Sequence, residues 1–383
     1  MTKKNCIYLD YAATTPVDER VIQKMIECLS LQGTFGNPAS NHYFGNEARE
    51  QIEKARAQVA GCIQAVPRNI LFTSGATESN NLAIKGVAQF YRSKGNHIVT
   101  CKTEHKSILD PCTYLEAMGF SVTYLSVDKN GLIDLEELRS VLKKETILVS
   151  VMQINNETGV LQNIQPIAEL TRERGVFLHV DAAQSFGKID INVQQFPVDL
   201  MSFSGHKIYG PKGIGVLYIN DSPRVRLTPL LHGGGQERKL RAGTLATHQI
   251  VGMGEASKIA QEIRQAEMDK IRVLRNRFWA GIQYLPNICI NGHEGSSVPN
   301  ILNVKFQGLK KETLLKKLGS VAISSASACN TTYIEPSYVL RAMGLSSQEA
   351  EQSIRFSFGR FSLESEIDHV VNLIREMYLE EGM

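Results

Sequence analysis

The chain has 383 residues, with 42 lysines and arginines against 39 aspartates and glutamates, for a formal charge of +3. A composition of 43% hydrophobic and 21% charged residues is that of a globular protein with a sizeable core, and the length points to about two domains. Disorder and collagen-like architecture are excluded, and no run of about five or six basic residues offers an electrostatic footprint for nucleic acid or an anionic membrane.

The chain runs into Tyr8-Leu9-Asp10 without the apolar region of a secretory signal, and no apolar stretch approaches the ~18 residues of a membrane span. Cys6, Cys28, Cys62, Cys101, Cys112, Cys289 and Cys329 are odd in number, scattered and without a C-x-x-C pair. This pattern argues against a disulfide framework or a zinc site and for a reducing, cytoplasmic setting. Phe44, Ala48, Ile52, Ala55, Val59 and Cys62 recur at spacings that place them on one helical face. From about residue 70 to 220, short β-rich runs alternate with amphipathic segments, the signature of βαβ units and a mainly parallel sheet. Ile70–Thr73, His97–Thr100, Ser121–Tyr124, Ile147–Ser150, Val176–Val180 and Leu200–Phe203 are the expected strands. A long helix from His248 to about Arg277 reads as a spine between two domains. Beyond it, strands are expected at Ile301–Phe306, Val321–Ile323 and Ile354–Phe358. An amphipathic helix through Ile367, Val370, Val371, Ile374, Met377 and Tyr378 then closes a smaller α+β unit.

Chemistry enters where strands end. Ser74-Gly75-Ala76-Thr77-Glu78-Ser79-Asn80 follows an expected strand and opens a helix, a place for free backbone N–H groups and an anion, although an ordinary N-cap would read the same way. It is not a Walker loop, and no G-x-G-x-x-G follows the first strand. Asp181 ends one apolar run and Lys207 follows the next. Taken singly, these read as a turn aspartate and a solvated lysine. Together, at the edge where open α/β sheets bind ligands, they suggest pyridoxal 5'-phosphate, with Lys207 forming a Schiff base and Asp181 holding the pyridinium nitrogen.

Ser204-Gly205-His206-Lys207, Asp181-Ala182-Ala183-Gln184, Ser74 to Asn80, and Ser325-Ala326-Ser327-Ala328-Cys329 together resemble the cysteine desulfurases of iron-sulfur assembly and nitrogen fixation, within the class V aminotransferase fold. The resemblance covers nearly the whole chain. It implies an α/β fold of the PLP-dependent transferase, aspartate aminotransferase-like type. A large cofactor-binding domain would span 15–265, and a small domain carrying the catalytic cysteine would be built from 1–14 and 266–383. It further implies that His105 stacks on the cofactor ring, that Ala76, Thr77, Ser204 and His206 hold the phosphate, and that Gln184 meets the phenolic oxygen. Asn156 would flank cofactor and substrate, Arg355 would clamp the substrate carboxylate, and Asn37 would lie close to it. Thr244 would reach the phosphate of a neighbouring subunit, making a homodimer.

Cys329, in a segment of small residues, would be the sulfur acceptor on a mobile loop, and no resident metal is expected, although the same thiol could transiently ligate a cluster. The implied activity converts L-cysteine to L-alanine with a persulfide held on Cys329 for a sulfur-acceptor protein such as an iron-sulfur scaffold. Thio-cofactor or nucleic-acid thiolation pathways are the other destinations, without direct nucleic-acid binding. A selenocysteine lyase or another class V aminotransferase is the alternative. Many relatives continue past the last helix with a tail that engages the scaffold, whereas this sequence stops at Met383.

Overall fold

The apolar runs of the middle of the chain become strands because, once covered on both faces, their backbone groups find partners only by pairing within a sheet. The computed structural model describes residues 6–196, 198–221, 225–325, 336–380 and 382. It opens with β1 (Ile7–Tyr8) and continues with β2 (Ile70–Thr73), β3 (His97–Cys101), β4 (Ser121–Leu125), β5 (Thr146–Met152), β6 (Phe177–Asp181), β7 (Leu200–Ser204) and β8 (Gly215–Ile219). β2 to β8 form one sheet in the order β2-β8-β7-β6-β5-β3-β4. β2, β3, β5, β7 and β8 are buried at every residue, whereas the edge strand β4 is buried only at Leu125. At the other edge, Glu237 accepts a hydrogen bond from the Phe72 backbone N–H at 2.7 Å and is itself held by Arg56, so that edge is closed to strand addition.

Only β8 runs antiparallel to its neighbours. The alternation of strand and helix gives no signal for it, because an antiparallel neighbour needs no crossover helix and only a short 3-10 turn and loop, residues 205–214, separate β7 from β8. The other six strands share one direction, so their carboxyl ends meet at one edge of the sheet.

Two cores are joined by the helix Thr247–Ile282, whose 36 residues span ~54 Å. Its first half gives Ile250, Met253, Ala256 and Ile259 to the core under the large sheet, and its second half gives Met268, Ile271, Leu274, Phe278 and Ile282 to a separate core. Helix Tyr43–Cys62 crosses the first half at Gly254, where a Cβ would lie 2.6 Å from the Cα of Ala55. The predicted buried face of that helix holds from Ala48 to Cys62. Phe44 departs from it, 43% exposed in the first turn, which extends beyond the surface the helix covers.

The second core packs against an antiparallel sheet of β9 (Ile288–Asn291), β10 (Ile301–Phe306), β12 (Ser324–Ser325) and β13 (Ser353–Ser357) in the order β12-β13-β10-β9. β11 (Val321–Ala322) instead pairs in parallel with β1. The strand expected at Val321–Ile323 forms only at Val321–Ala322, and the residues just beyond the expected range, Ser324–Ser325, pair with β13. The helix Glu364–Glu380 closes the unit, with Ile367, Val370, Ile374 and Met377 buried as its periodicity predicts.

Arg360 ties the halves together. Its guanidinium pairs with Asp18 at 2.6 Å and Glu267 at 2.8 Å and lies 4.0 Å from the ring centre of Tyr209. The Arg360 and Glu267 side chains are about nine-tenths buried, so an uncompensated charge is costly there. Arg360→Met should keep the fold and lower the unfolding free energy by about 3 kcal/mol in urea titration, whereas a loss below about 1 kcal/mol would show that water replaces the pair.

Candidate active site

The carboxyl ends of the parallel strands and the crossing segment Asp10–Thr14 enclose a cavity of about 760 Å³, within the range of small-molecule sites. Asp181 is the last residue of β6 and Ser204 the last of β7, with Lys207 closing the turn that follows. His105 caps helix Lys106–Ala117, and its Nδ1 accepts the Ser107 backbone N–H at 3.1 Å. Ala76 and Thr77 begin helix Ala76–Tyr91, whose cap, Gly75, brings no side chain to the exposed N–H groups. β8 approaches this turn so closely that a Cβ on Gly215 would lie 2.5 Å from Gly75 Cα.

One polar chain runs along the cavity wall. Asn80 Nδ2 donates to Asp181 Oδ2 and to Ser107 Oγ, each at 2.8 Å, and Ser107 Oγ lies 2.8 Å from His105 Nδ1. Nδ1 already accepts the Ser107 N–H, so it receives the hydroxyl proton too and the ring carries its own proton on Nε2. Asp181 Oδ1 accepts the Ala183 N–H at 2.9 Å. On the opposite side, Lys207 Nζ donates to the carbonyls of Ala12 and Ala13 at 2.5 and 2.8 Å. Gln184 Nε2 donates to the same Ala12 oxygen, and Lys188 Nζ donates to Gln184 Oε1, both at 2.9 Å. Arg355 reaches in from β13 and donates to the Asn156 carbonyl and to Asp10 Oδ1, both at 2.7 Å.

Burial shapes the charges. It lowers the pKa of His105, against the nearby Asp181 and with the help of Lys207. It pushes His206 down to about 4, again aided by Lys207. Burial, then the Lys207 charge, brings Lys188 down to about 7, with Glu267 opposing and Arg355 adding. Glu104, wholly inside, is raised well above the usual carboxyl range by burial, against the hydrogen bond from the Met152 N–H, while Asp181 adds to the rise. Burial thus favours the neutral imidazole at His105 and His206, and the protonated form of Glu104 behind them.

Of the residues singled out in the sequence, Ala76, Thr77, His105, Asn156, Asp181, Gln184, Ser204, His206, Lys207 and Arg355 all line this cavity. Asn37 does not. Expected beside the substrate carboxylate, it instead lines a separate cavity of about 580 Å³ together with Thr244, Arg49 and Arg56. It is carried there because the loop from Gly33 to Ser40 packs against the start of helix Tyr43–Cys62, away from β13 of its own chain. Cys329 lies outside the described residues, and Ser324 and Ser325 upstream of it reach the cavity. Asn80, Ser107, Glu104, Lys188 and Asp10 were not anticipated. Asn80 and Asp10 stand within stretches already notable in the sequence, whereas the others carry no local signal.

The aminotransferase class-V family model matches residues 7–370. Cysteine desulfurase IscS of Pectobacterium atrosepticum is 57% identical over 371 residues, 97% of this chain and 92% of that protein. Cysteine desulfurase IscS of Escherichia coli O139:H28 is 56% identical with the same coverage. A solved NifS-like protein superposes with a TM-score of 0.90 at 37% identity, covering 97% of this chain and 99% of that one. SspA in complex with cysteine gives a TM-score of 0.83 at 38% identity, covering 93% of this chain and 100% of that one.

A raised carboxyl pKa means that the native state keeps a proton the unfolded chain releases, so the stability Glu104 contributes is present below its unfolded pKa and lost as pH rises toward its folded one. Glu104→Gln removes that titration while keeping the shape. Urea midpoints of the variant should therefore gain on wild type as pH rises from about 5 to 8; a constant difference would mean that Glu104 is ionised inside the fold.

Proposed function

This chain belongs to the class-V aminotransferase family, and we infer that within it the protein is a pyridoxal phosphate-dependent cysteine desulfurase, converting L-cysteine to L-alanine and supplying sulfur for iron-sulfur cluster assembly. The observation that carries this reading is the meeting of Lys207, Asp181, His105 and Arg355 in one cavity.

The residues present fit the cofactor on their own chemistry. Arg355 Nε and Asn156 Oδ1 are buried at the cavity without a partner among the described residues, a donor and an acceptor awaiting a ligand. Ala76, Thr77, Ser204 and His206 would hold the phosphate, Asp181 the ring nitrogen, His105 the ring face, Gln184 the phenolic oxygen and Lys207 the carbonyl carbon. When bound, pyridoxal phosphate supplies an electron sink that acidifies the substrate Cα–H.

Lys207 is the base for that proton. Its Nζ is oriented by the Ala12 and Ala13 carbonyls, to which it donates, and as a neutral amine it is a base of the right kind for that proton. His105, uncharged, holds a proton at Nε2 facing away from Ser107. Arg355, steadied by Asp10 and the Asn156 carbonyl, offers its free Nε to the substrate carboxylate. The Cys329 thiolate would then attack the substrate sulfur. An S–S bond forms, the C–S bond breaks with its electron pair left on carbon, and protonation of that carbon gives alanine.

We read the chain as a cytoplasmic homodimer that hands its sulfur to an iron-sulfur scaffold protein. The dimer reading is supported by Asn37 and Thr244, which share a cavity apart from their own chain's site, and by Leu29, Leu31 and Phe35, exposed by 60, 74 and 46% beside Asn37. In this reading each copy completes the other's phosphate cradle. The division into a large domain, 15–265, and a small one, 1–14 with 266–383, is supported by the two cores that the long helix joins.

Purified protein incubated with L-cysteine and a reductant should release equimolar alanine and sulfide. Cys329→Ser should cut sulfide release by at least about 100-fold while cysteine still perturbs the cofactor spectrum, since a hydroxyl cannot carry sulfane sulfur; undiminished release would remove Cys329 from the reaction. Mixing inactive Lys207→Ala with an inactive Thr244→Ala under subunit exchange should restore roughly a quarter of wild-type activity, through hybrids with one intact site. No recovery despite exchange would return Thr244 to its own subunit.

A further inference from the structure

Lys188 is a part-buried amine beside the site with no part in the chemistry above. It stands four residues beyond Gln184 in a run of turns after β6 and shares a narrow crevice with Lys207, Tyr209 and Glu267. Its Nζ donates to Gln184 Oε1 at 2.9 Å. The other end of the same amide is also fixed, because Nε2 donates to the Ala12 carbonyl at 2.9 Å, and that oxygen receives Lys207 Nζ at 2.5 Å.

A primary amide can be turned end for end with little change of shape, and only its partners decide which end is oxygen. Turned over, Gln184 would set Oε1 against the Ala12 carbonyl, acceptor against acceptor. It would also set Nε2 against an ammonium that has no lone pair, donor against donor. Even as a neutral amine Lys188 leaves the first clash in place. Gln184 is only 4% exposed, so water cannot repair either contact. In the observed orientation one N–H of Nε2 goes to Ala12, and the second has no acceptor among the described residues and is left for the cavity that Gln184 lines.

We infer that Lys188 is a positioning residue: together with the Ala12 carbonyl at the other end, it locks the Gln184 amide with its N–H end toward the cavity, so that Gln184 acts there as a hydrogen-bond donor. This rests on the reading in which Gln184 meets the phenolic oxygen of bound pyridoxal phosphate. A donor at that oxygen stabilises its anionic form and lowers the pH at which the bound cofactor gives up its neighbouring proton; a carbonyl oxygen in the same place would do the reverse.

The test is a pH titration of the visible absorption of the cofactor-loaded protein in a double-mutant cycle. Lys188→Met and Gln184→Leu should each raise the midpoint by about one pH unit. The double variant should shift no further than the larger single change, because both remove the same hydrogen bond. Lys188→Arg should keep the wild-type midpoint. If circular dichroism shows Lys188→Met to be unfolded, Lys188→Gln takes its place in the cycle. Additive shifts would make Lys188 a through-space charge that ignores Gln184, and an unmoved midpoint would deny it any role; either overturns the inference alone. A wild-type protein that takes up no cofactor and shows no visible band would overturn the proposed function together with this inference.

Discussion

The Ala12 carbonyl accepts hydrogen bonds from Lys207 Nζ and from Gln184 Nε2, at 2.5 and 2.9 Å, and the site depends on how the segment carrying that carbonyl is held. On one side the Ala12 N–H donates to Ser357 Oγ on β13 at 2.9 Å, and Asp10 pairs with Arg355 of the same strand at 2.7 Å. On the other, Thr15 N donates to the His206 carbonyl at 2.9 Å, and Thr15 Oγ1 accepts the Tyr209 N–H at 2.8 Å. Tyr8 braces the bend between them, its hydroxyl in reach of the carbonyls of Asp10 and Thr14. Lys207 follows a strand of one sheet and Arg355 lies in a strand of the other, and this strap touches both. Placement of that kind is the entropic part of catalysis, fixed at folding and not during each turnover.

Much of this was legible in the sequence where a single element carries the signal. Strands buried on both faces announce themselves as apolar runs, and Asp181 and Lys207 follow such runs directly, which places them at the ligand-binding edge. What stayed hidden depends on closure between distant parts of the chain. Asn80 earns its place by reaching Asp181 and Ser107, and Asp10 by reaching Arg355 across almost the whole sequence. No periodicity reports such pairs. That Asn37 lines a cavity apart from its own chain's site was hidden for a related reason: a loop residue's neighbours are set by what the loop packs on, and no local spacing reveals that.

The histidines show how little residue type says without its surroundings. His179 lies two residues before Asp181 in β6, yet its ring sits between Ser150 and Ser202 of the flanking strands and burial brings it down to about 3. It is a polar rivet inside the sheet. His105, at the end of the neighbouring region, has one nitrogen engaged and the other facing the cavity. The difference is position along the strand direction: inside the sheet both ring nitrogens find partners from adjacent strands, whereas past its edge one is left over for chemistry.

The buried cysteines carry a consequence for the sulfur the enzyme handles. Burial pushes the thiols of Cys62, Cys101 and Cys112 up to about 12 and raises Cys28 as well. Sulfane sulfur moves only to a thiolate, and at neutral pH a thiol with so high a pKa is almost never ionised. Among the described residues only Cys6 and Cys289 are exposed thiols. The core is thus electrically insulated against its own cargo: a mobile sulfur atom finds no conducting route into the interior, and the fold can keep cysteines as packing material without their becoming leaks.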